Sequence, residues 1–538
     1  MASDPRYDGA APNMVSDPRY DGTNMNNSHR ADYAFNAEPG AMEAQQDTLS
    51  PHPLAPQDST VKPPVDGVMN GQGYESESTL PIDGRHSYQT TEKRRSETEG
   101  QVGNLFDQGG KNYRTVGRWM SGIILITNQV GIGILSLPAA LQTLGLVPGI
   151  IAIIGLGLLS TYTAYVLLQF YRKHPHVVNV PDMARIVGGP ILEAIVGIGM
   201  FLNLIFTGAS ISVTVSVALN SMSDHALCTA GFSGIACIAF WLLCLPRKFS
   251  FVAKVGIPST ISILVSVLIV MIALGVSGPS NAEESNPDID IIIVGSPTFI
   301  EGLTSCLNIC YAYAGNVGFV SYMAEMQNPS KDFVPALFIL QGFSIPLYVI
   351  VAIVIYTLSG QYTRSPSLGS APIVPAKIAY GIVLPCLLAT GMVFGHTAIK
   401  YLYVVIMKKL RATDEITSRT RKSWGVWVGC ATFYWVGSFI MANAIPIFDS
   451  ILSISSSTLI AWFTFGISAV FWFHLNWHRL FANWKKIALT IVNTLILVQA
   501  LFMNSAGTWA AVVGLINIFN DPDYEIERPF TCADNSIF

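Results

Sequence analysis

The chain has 538 residues, of which 51% are hydrophobic and only 12% charged, with a net charge of −4. Soluble domains carry about 25% charge, so this composition excludes an ordinary soluble fold and points to a membrane protein. The mildly acidic balance also argues against a nucleic-acid partner.

The chain opens on its polar part. Residues 1–112 are rich in Pro, Gly, Ser, Asn and Asp. Such a segment cannot bury enough apolar area to offset the entropy of ordering, so a disordered tail is expected. The heptapeptide at Ser3–Gly9 returns at Ser16–Gly22, and two copies are too few for a solenoid. No apolar core near the start resembles a signal peptide, so the first span is expected to be its own insertion signal. Ser96 directly follows Lys93, Arg94 and Arg95. This reads either as a solvated charge run or as a kinase site, with Lys93 and Lys111 as ubiquitin acceptors. The second reading makes a kinase and a ubiquitin ligase the partners of the tail.

After the tail come long apolar runs. A helix needs about 20 apolar residues to cross a core of roughly 30 Å. Candidate spans fall near 119–141, 147–169, 191–219, 231–246, 255–276, 298–322, 334–358, 375–407, 424–446, 452–475 and 487–516. The expectation is an all-α membrane protein of about eleven transmembrane helices over residues 113–516, followed by a short tail at 517–538. With the N-terminus placed in the cytoplasm, strict alternation puts nineteen Lys and Arg residues inside and three outside. That asymmetry supports both count and orientation. An odd count leaves the C-terminus extracytoplasmic. Of eight cysteines, six fall inside apolar runs and read as packing residues. Cys228 and Cys532 lie outside the spans, both on the outer side, where a disulfide can form.

Two spans are interrupted. Span 1 contains Asn128, Gln129, Val130, Gly131, Ile132 and Gly133, with Pro138 beyond. Gly131 lies twelve residues from the inner edge, about 18 Å at 1.5 Å per residue and so near the midplane. Span 6 contains Tyr311, Ala312, Tyr313, Ala314, Gly315 and Asn316, also near its middle. Spans 1 and 6 hold the same place in two consecutive groups of five that cross in opposite directions. Breaks at matching places of inverted halves point to a transport site. Free N–H groups at such a break suit a carboxylate, and free carbonyls with an Asn oxygen suit an ammonium or a cation. The competing reading of Gly-x-Gly is close helix packing. It is weakened by Asn128 and Pro138 on either side and by the matching break in span 6.

The run from Asn128 to Leu141 resembles the signature of the amino acid/auxin permease family, as does Ala324–Phe333 at the inner end of span 6. Within that family the chain is similar to the fungal neutral amino acid permeases of the N system type. The resemblance implies two inverted five-helix repeats plus one extra helix, as in bacterial leucine transporters. It implies that Asn128 serves ion or substrate binding, and that Gly131, Ile132 and Gly133 form the unwound carboxylate-binding segment. In sodium-coupled relatives a span 8 hydroxyl completes an ion site. Here the matching place falls near Pro385, with no hydroxyl in register. A proton is therefore expected as the coupling ion rather than sodium, and no cofactor or metal is implied.

Ionisable residues inside spans are functional candidates because burying charge is costly. Glu193, Lys377 and His474 lie close enough to span ends to reach the interface. Lys400 either snorkels to the inner surface or serves gating or coupling. His396 lies deeper and either titrates near neutral pH or packs as a satisfied histidine. Glu301 sits at the outer mouth of span 6, and Glu325 at its inner end, where pairing with a basic inner-loop residue would brace an inner gate. No nucleophile–base set, metal-ligand cluster or Walker loop stands out, which disfavours an enzyme or an ATP-driven pump.

The expected function is secondary transport of a neutral amino acid, proton-coupled, with the plasma membrane favoured over the vacuolar membrane. The carboxylate is expected at Gly131–Gly133, with Gly315 opposite. Phe206 and Tyr313 are the expected apolar wall. A cationic substrate is disfavoured because spans 1, 3 and 6 hold no deep carboxylate. A vacuolar exporter, an exporter of an amino-acid-derived metabolite and a membrane nutrient sensor stand as alternatives.

Overall fold

The computed structural model describes residues 116–247, 250–280, 288–416, 418, 420–521 and 528–535. The tail with Lys93, Ser96 and Lys111 lies outside the described residues. In chain order the helices are α1 (Arg118–Gln129), α2 (Leu137–Leu144), α3 (Leu146–Lys173), α4 (Val180–Ser223), α5 (Thr229–Cys244) and α6 (Ser250–Ser277). They continue with α7 (Phe299–Ala312), α8 (Asn316–Glu325), α9 (Pro329–Ser359), α10 (Ile373–Lys409) and α11 (Arg421–Ala444). The chain then runs through α12 (Phe448–Ser455), α13 (Ile467–Asn476), α14 (Trp484–Phe502) and α15 (Thr508–Phe519). The wider π-helical segments Ser456–Gly466 and Met503–Gly507 join α12 to α13 and α14 to α15.

Eight helical runs are long and apolar enough to cross a bilayer, and α1 with α2, bent by 45°, makes a ninth. The two other expected spans are a 16-residue helix, α5, and the broken pair α7 and α8. Every segment expected from hydropathy therefore falls on helix, but length and composition alone count nine. The last helix ends at Phe519, three residues past the expected boundary.

Packing explains the order. α10 lies against α6 and α4, α9 against α1 and α3, and α11 against α4 and α5. α2 packs on α7, so the second half of the first broken span meets the first half of the other. α14 shows the opposite character. Ile491, Leu495 and Val498 form an exposed apolar stripe at helical spacing. In water such a stripe would be a liability; against hydrocarbon it is the matching surface.

Local chemistry sets the ends. The Asn179 side chain accepts the Asp182 N–H at 2.9 Å, and Asp182 in return accepts the Val178 N–H at 3.1 Å, starting α4. Gly145 turns the chain between α2 and α3 at φ +87°. The loop before α7 lies directly on that turn, with Gly295 N–H donating to Leu144 O at 2.9 Å. A Cβ on Gly145 would stand 2.3 Å from the Gly295 nitrogen, so only glycine allows this approach.

Cys228 and Cys532 form a disulfide across 304 residues, which answers the question their positions left open. Further contacts hold the same stretch. Thr229 Oγ1 donates to Ala533 O at 2.6 Å, Phe530 N–H donates to Asn443 O at 2.8 Å, and His225 lies 3.4 Å from Asp534. Residues 528–535 are thereby fastened over the α4–α5 turn. A membrane-impermeant maleimide should label neither cysteine on intact cells until a reductant is added, and should label Cys532 directly in Cys228→Ser. Labelling that requires permeabilised cells would place this end of the molecule inside.

Candidate functional site

The two helix breaks meet. α1 closes with Val130 N–H donating to Ile126 O at 2.7 Å, and Gly131 then leaves helical geometry. A tight turn, Ile132–Ser136, leads into α2. The first N–H groups of a new helical segment have no partner within it, and its N-terminal end carries partial positive charge. On the other side α7 stops at Ala312 and α8 restarts at Asn316. The contact is close: a Cβ on Gly133 would lie 2.5 Å from Ala312 Cα.

Between the breaks lies a small, partly open cavity. Of the residues singled out in the sequence, Asn128, Gly131, Ile132, Gly133 and Gly315 line it. Tyr313 does not. Its ring is fully buried, its hydroxyl donates to Ile153 O at 2.9 Å, and it packs edge-on against Tyr348. Phe206 is also absent from the lining. The wall is instead Thr207 and Ile211 of α4, Tyr311 of α7, and Thr390 and Phe394 of α10. The Tyr311 hydroxyl is buried beside Ser210 and Thr207 at the edge of the cavity. Thr390 of α10 brings a span 8 hydroxyl to the cavity. It lies five residues beyond Pro385 on the same helix, more than a full turn from the place where the sequence shows none in register.

Two side chains tie the breaks together. Asn128 Nδ2 donates to Gly315 O at 3.3 Å, while Asn128 Oδ1 accepts the Tyr322 hydroxyl at 3.0 Å. The Tyr348 hydroxyl stands 3.0 Å from both Gln129 O and Ala312 O, one carbonyl from each broken span. One hydroxyl proton cannot satisfy both at once, so a carbonyl is left with spare acceptor capacity. Tyr348 was not foreseen, since a lone Tyr in α9 carries no pattern.

The remaining candidates lie elsewhere. Glu301 closes a capping box at the start of α7, accepting the Thr298 N–H at 3.0 Å, and is exposed. Glu301→Gln keeps an acceptor at that place, so uptake should stay within about twofold of wild type, since such caps contribute about 1 kcal/mol. Glu325 and Lys400 pair at 3.4 Å, so the partner of Glu325 is on α10 rather than in an inner loop. Val116 bridges to Met326, and Arg118 pairs with Asp332 at 3.2 Å, which fastens the same end of α8. His396 is buried against Trp427, one turn from Lys400, outside the cavity lining. Arg185 pairs with Glu193, and Lys377 with Asp224. His474 sits beside Phe170 near the end of α13.

The lining holds no carboxylate, ammonium, guanidinium or imidazole. It offers main-chain dipoles, amides and hydroxyls around an apolar wall. Such a site suits a ligand without net charge whose two ends carry opposite charges.

The family model described as transmembrane amino acid transporter protein matches residues 114–513. An N amino acid transport system protein of Neurospora crassa is 29% identical over 81% of this chain and 94% of its own length. Amino acid transporter AVT1B of Arabidopsis thaliana is 24% identical over 61% of this chain and 59% of its own. A solved structure of a Na+-coupled sialic acid symporter aligns at 14% identity with a TM-score of 0.47, covering 75% of this chain and 90% of that one.

Proposed function

This chain belongs to the transmembrane amino acid transporter protein family, and from that premise we propose that it is a proton-coupled symporter of neutral amino acids at the plasma membrane. The observation that carries this reading is the cavity between the helix breaks, polar at its main-chain rim and free of ionised side chains. The substrate carboxylate meets the N–H groups of Gly131, Ile132 and Gly133. Its ammonium faces the carbonyls at the end of α7 and Asn128. Its side chain rests on Ile211 and Phe394, with Tyr311 and Thr390 as hydroxyl contacts. A net cation would find no counter-charge there. The fungal relative's designation as an N amino acid transport system protein supports an amino acid as the substrate.

Membrane orientation follows from the basic residues: eleven spans, with the N-terminus cytoplasmic and the disulfide-fastened C-terminus outside. Substrate access from the cytoplasm is closed by the Glu325–Lys400 pair and the Val116–Met326 bridge. The tail supplies control, with Ser96 as kinase target and Lys93 and Lys111 as ubiquitin acceptors. Sodium is the competing coupling ion, and Thr390 in the cavity is the observation in its favour.

The test is uptake of a radiolabelled neutral amino acid panel in transport-deficient yeast at varied external pH and sodium. Uptake should rise in acid, ignore sodium and fall to background in Gly131→Leu, whose side chain fills the cavity. Sodium dependence would replace the proton. Absence of uptake, with the protein at the cell surface, would remove the importer reading in favour of an exporter or a sensor. Residence on the vacuole would change the compartment.

A further inference from the structure

Asp449 sits in the first turn of α12, at the end of the molecule that carries the Cys228–Cys532 staple. Its Oδ1 accepts two hydrogen bonds from neutral donors, Ser365 Oγ at 2.7 Å and Asn308 Nδ2 at 3.1 Å. These donors come from different elements, the segment after α9 and the middle of α7. No Lys, Arg or His forms an ion pair with Asp449 among the described residues.

The surroundings matter for a group that would titrate. α12 packs on α4, α7, α15 and the π-helical segment 456–466. On α7 the titratable groups are Glu301, Cys306, Cys310 and Tyr311. α4 carries Asp182, Arg185 and Glu193 near its start and Asp224 at its far end; α15 and the segment 456–466 carry none. Tyr362 and Arg364 flank Ser365. By residue surface Asp449 is half-buried, with its carboxyl held among Ser365 and Asn308.

Asn308 makes this arrangement suited to both protonation states. Its amide nitrogen donates to the carboxylate, while its amide oxygen is buried without a partner. An ionised Asp449 uses the donor. A protonated Asp449 can donate to the idle acceptor, so neither form leaves a new orphan in the cluster. A carboxylate kept only to anchor helices would gain more from a cation or from donors alone.

We propose that Asp449 is the site that binds the coupling proton on the outer face. This rests on the proton-coupled reading above. The proton comes from external water to the carboxyl oxygen of Asp449. The charge disappears, and the charge-assisted bonds from Ser365 and Asn308 give way to weaker neutral ones. Asn308 lies one turn before Tyr311, on the half-helix whose end lines the substrate cavity. Loosening Asp449 therefore loosens the element that shapes the site, and coupling is complete only when the proton leaves on the cytoplasmic side with the substrate and the ionised grip re-forms.

The test uses the full chain in yeast, the labelled neutral amino acid panel, and two readouts. Accumulation against a gradient needs the coupling proton, whereas exchange of internal for external substrate does not. Asp449→Asn should keep exchange within about threefold but lose acid stimulation and accumulation; Asp449→Glu should recover both. Acid-stimulated accumulation in Asp449→Asn equal to wild type would overturn the assignment. A wild-type protein that ignores pH would instead remove the proton-coupled reading itself. Ser365→Ala covers the case in which Asp449→Asn fails to reach the surface. Losing a donor to the ionised form should raise the pH of half-maximal uptake by about 0.5 unit or more. An unmoved midpoint in that variant would also overturn the assignment.

Discussion

Gly133→Ala should abolish uptake, although it adds a single methyl group. The new Cβ would stand 2.5 Å from Ala312 Cα and 3.0 Å from Ala312 N. Both obstacles are main chain, so no rotamer change relieves them. The two broken spans must separate or the helices must tilt, at a cost of about 1–3 kcal/mol for overpacking. Separation opens the carboxylate-binding segment away from the end of α7, and binding depends on both. Gly342→Ala on α9 is the matched control. Nothing lies within 4 Å of its added methyl, and alanine favours helix by about 1 kcal/mol. Uptake per surface molecule, with surface amount read by biotinylation, should separate the two variants by at least about tenfold. Full uptake by Gly133→Ala would mean that this contact is not held during transport.

The sequence makes the breaks legible because glycines and an asparagine interrupt otherwise apolar helices. Asn128, Gly131, Ile132, Gly133 and Gly315 follow from that interruption and all reach the cavity. Helix phase is less accessible. Tyr311 and Tyr313 are two residues apart, which on a helix turns them some 200° from each other. Both are aromatic and both lie at the break, so only the position of α3 decides that Tyr313 turns to Ile153 and Tyr311 to the cavity. The same applies to Phe206 and its neighbour Thr207. On α10 the long run 375–407 has apolar residues all round, and no periodicity fixes which face is inward, so Thr390 was not singled out as a cavity residue. Asp449 falls between the ninth and tenth expected spans, at 446 and 452, where hydropathy treats an acid as loop. The pairing of Glu325 with Lys400 needed the crossing of α8 and α10, which no local pattern encodes.

Asn128 offers the second large effect, and a way to divide its structural from its functional part. The side chain makes two buried contacts, to Gly315 O and from the Tyr322 hydroxyl. Asn128→Ala leaves both partners unsatisfied, each at a cost of about 1–3 kcal/mol. Thermal stability of the detergent-solubilised protein should fall, and uptake should fall to near background. Tyr322→Phe alone removes one bond and leaves the Asn128 oxygen without its donor. In the double variant the Tyr322 hydroxyl is no longer stranded, so the two losses of stability should not add. A coupling of about 1 kcal/mol is expected, in line with interhelical bonds in membranes. Uptake follows a different rule. If Asn128 only braced the helices, restoring stability in the double variant would restore transport in proportion. If its amide also contacts substrate, as its place in the cavity lining indicates, transport stays at background while stability recovers. Recovery of stability without recovery of uptake is the expected result, because no other side-chain amide of the first break lies against Gly315.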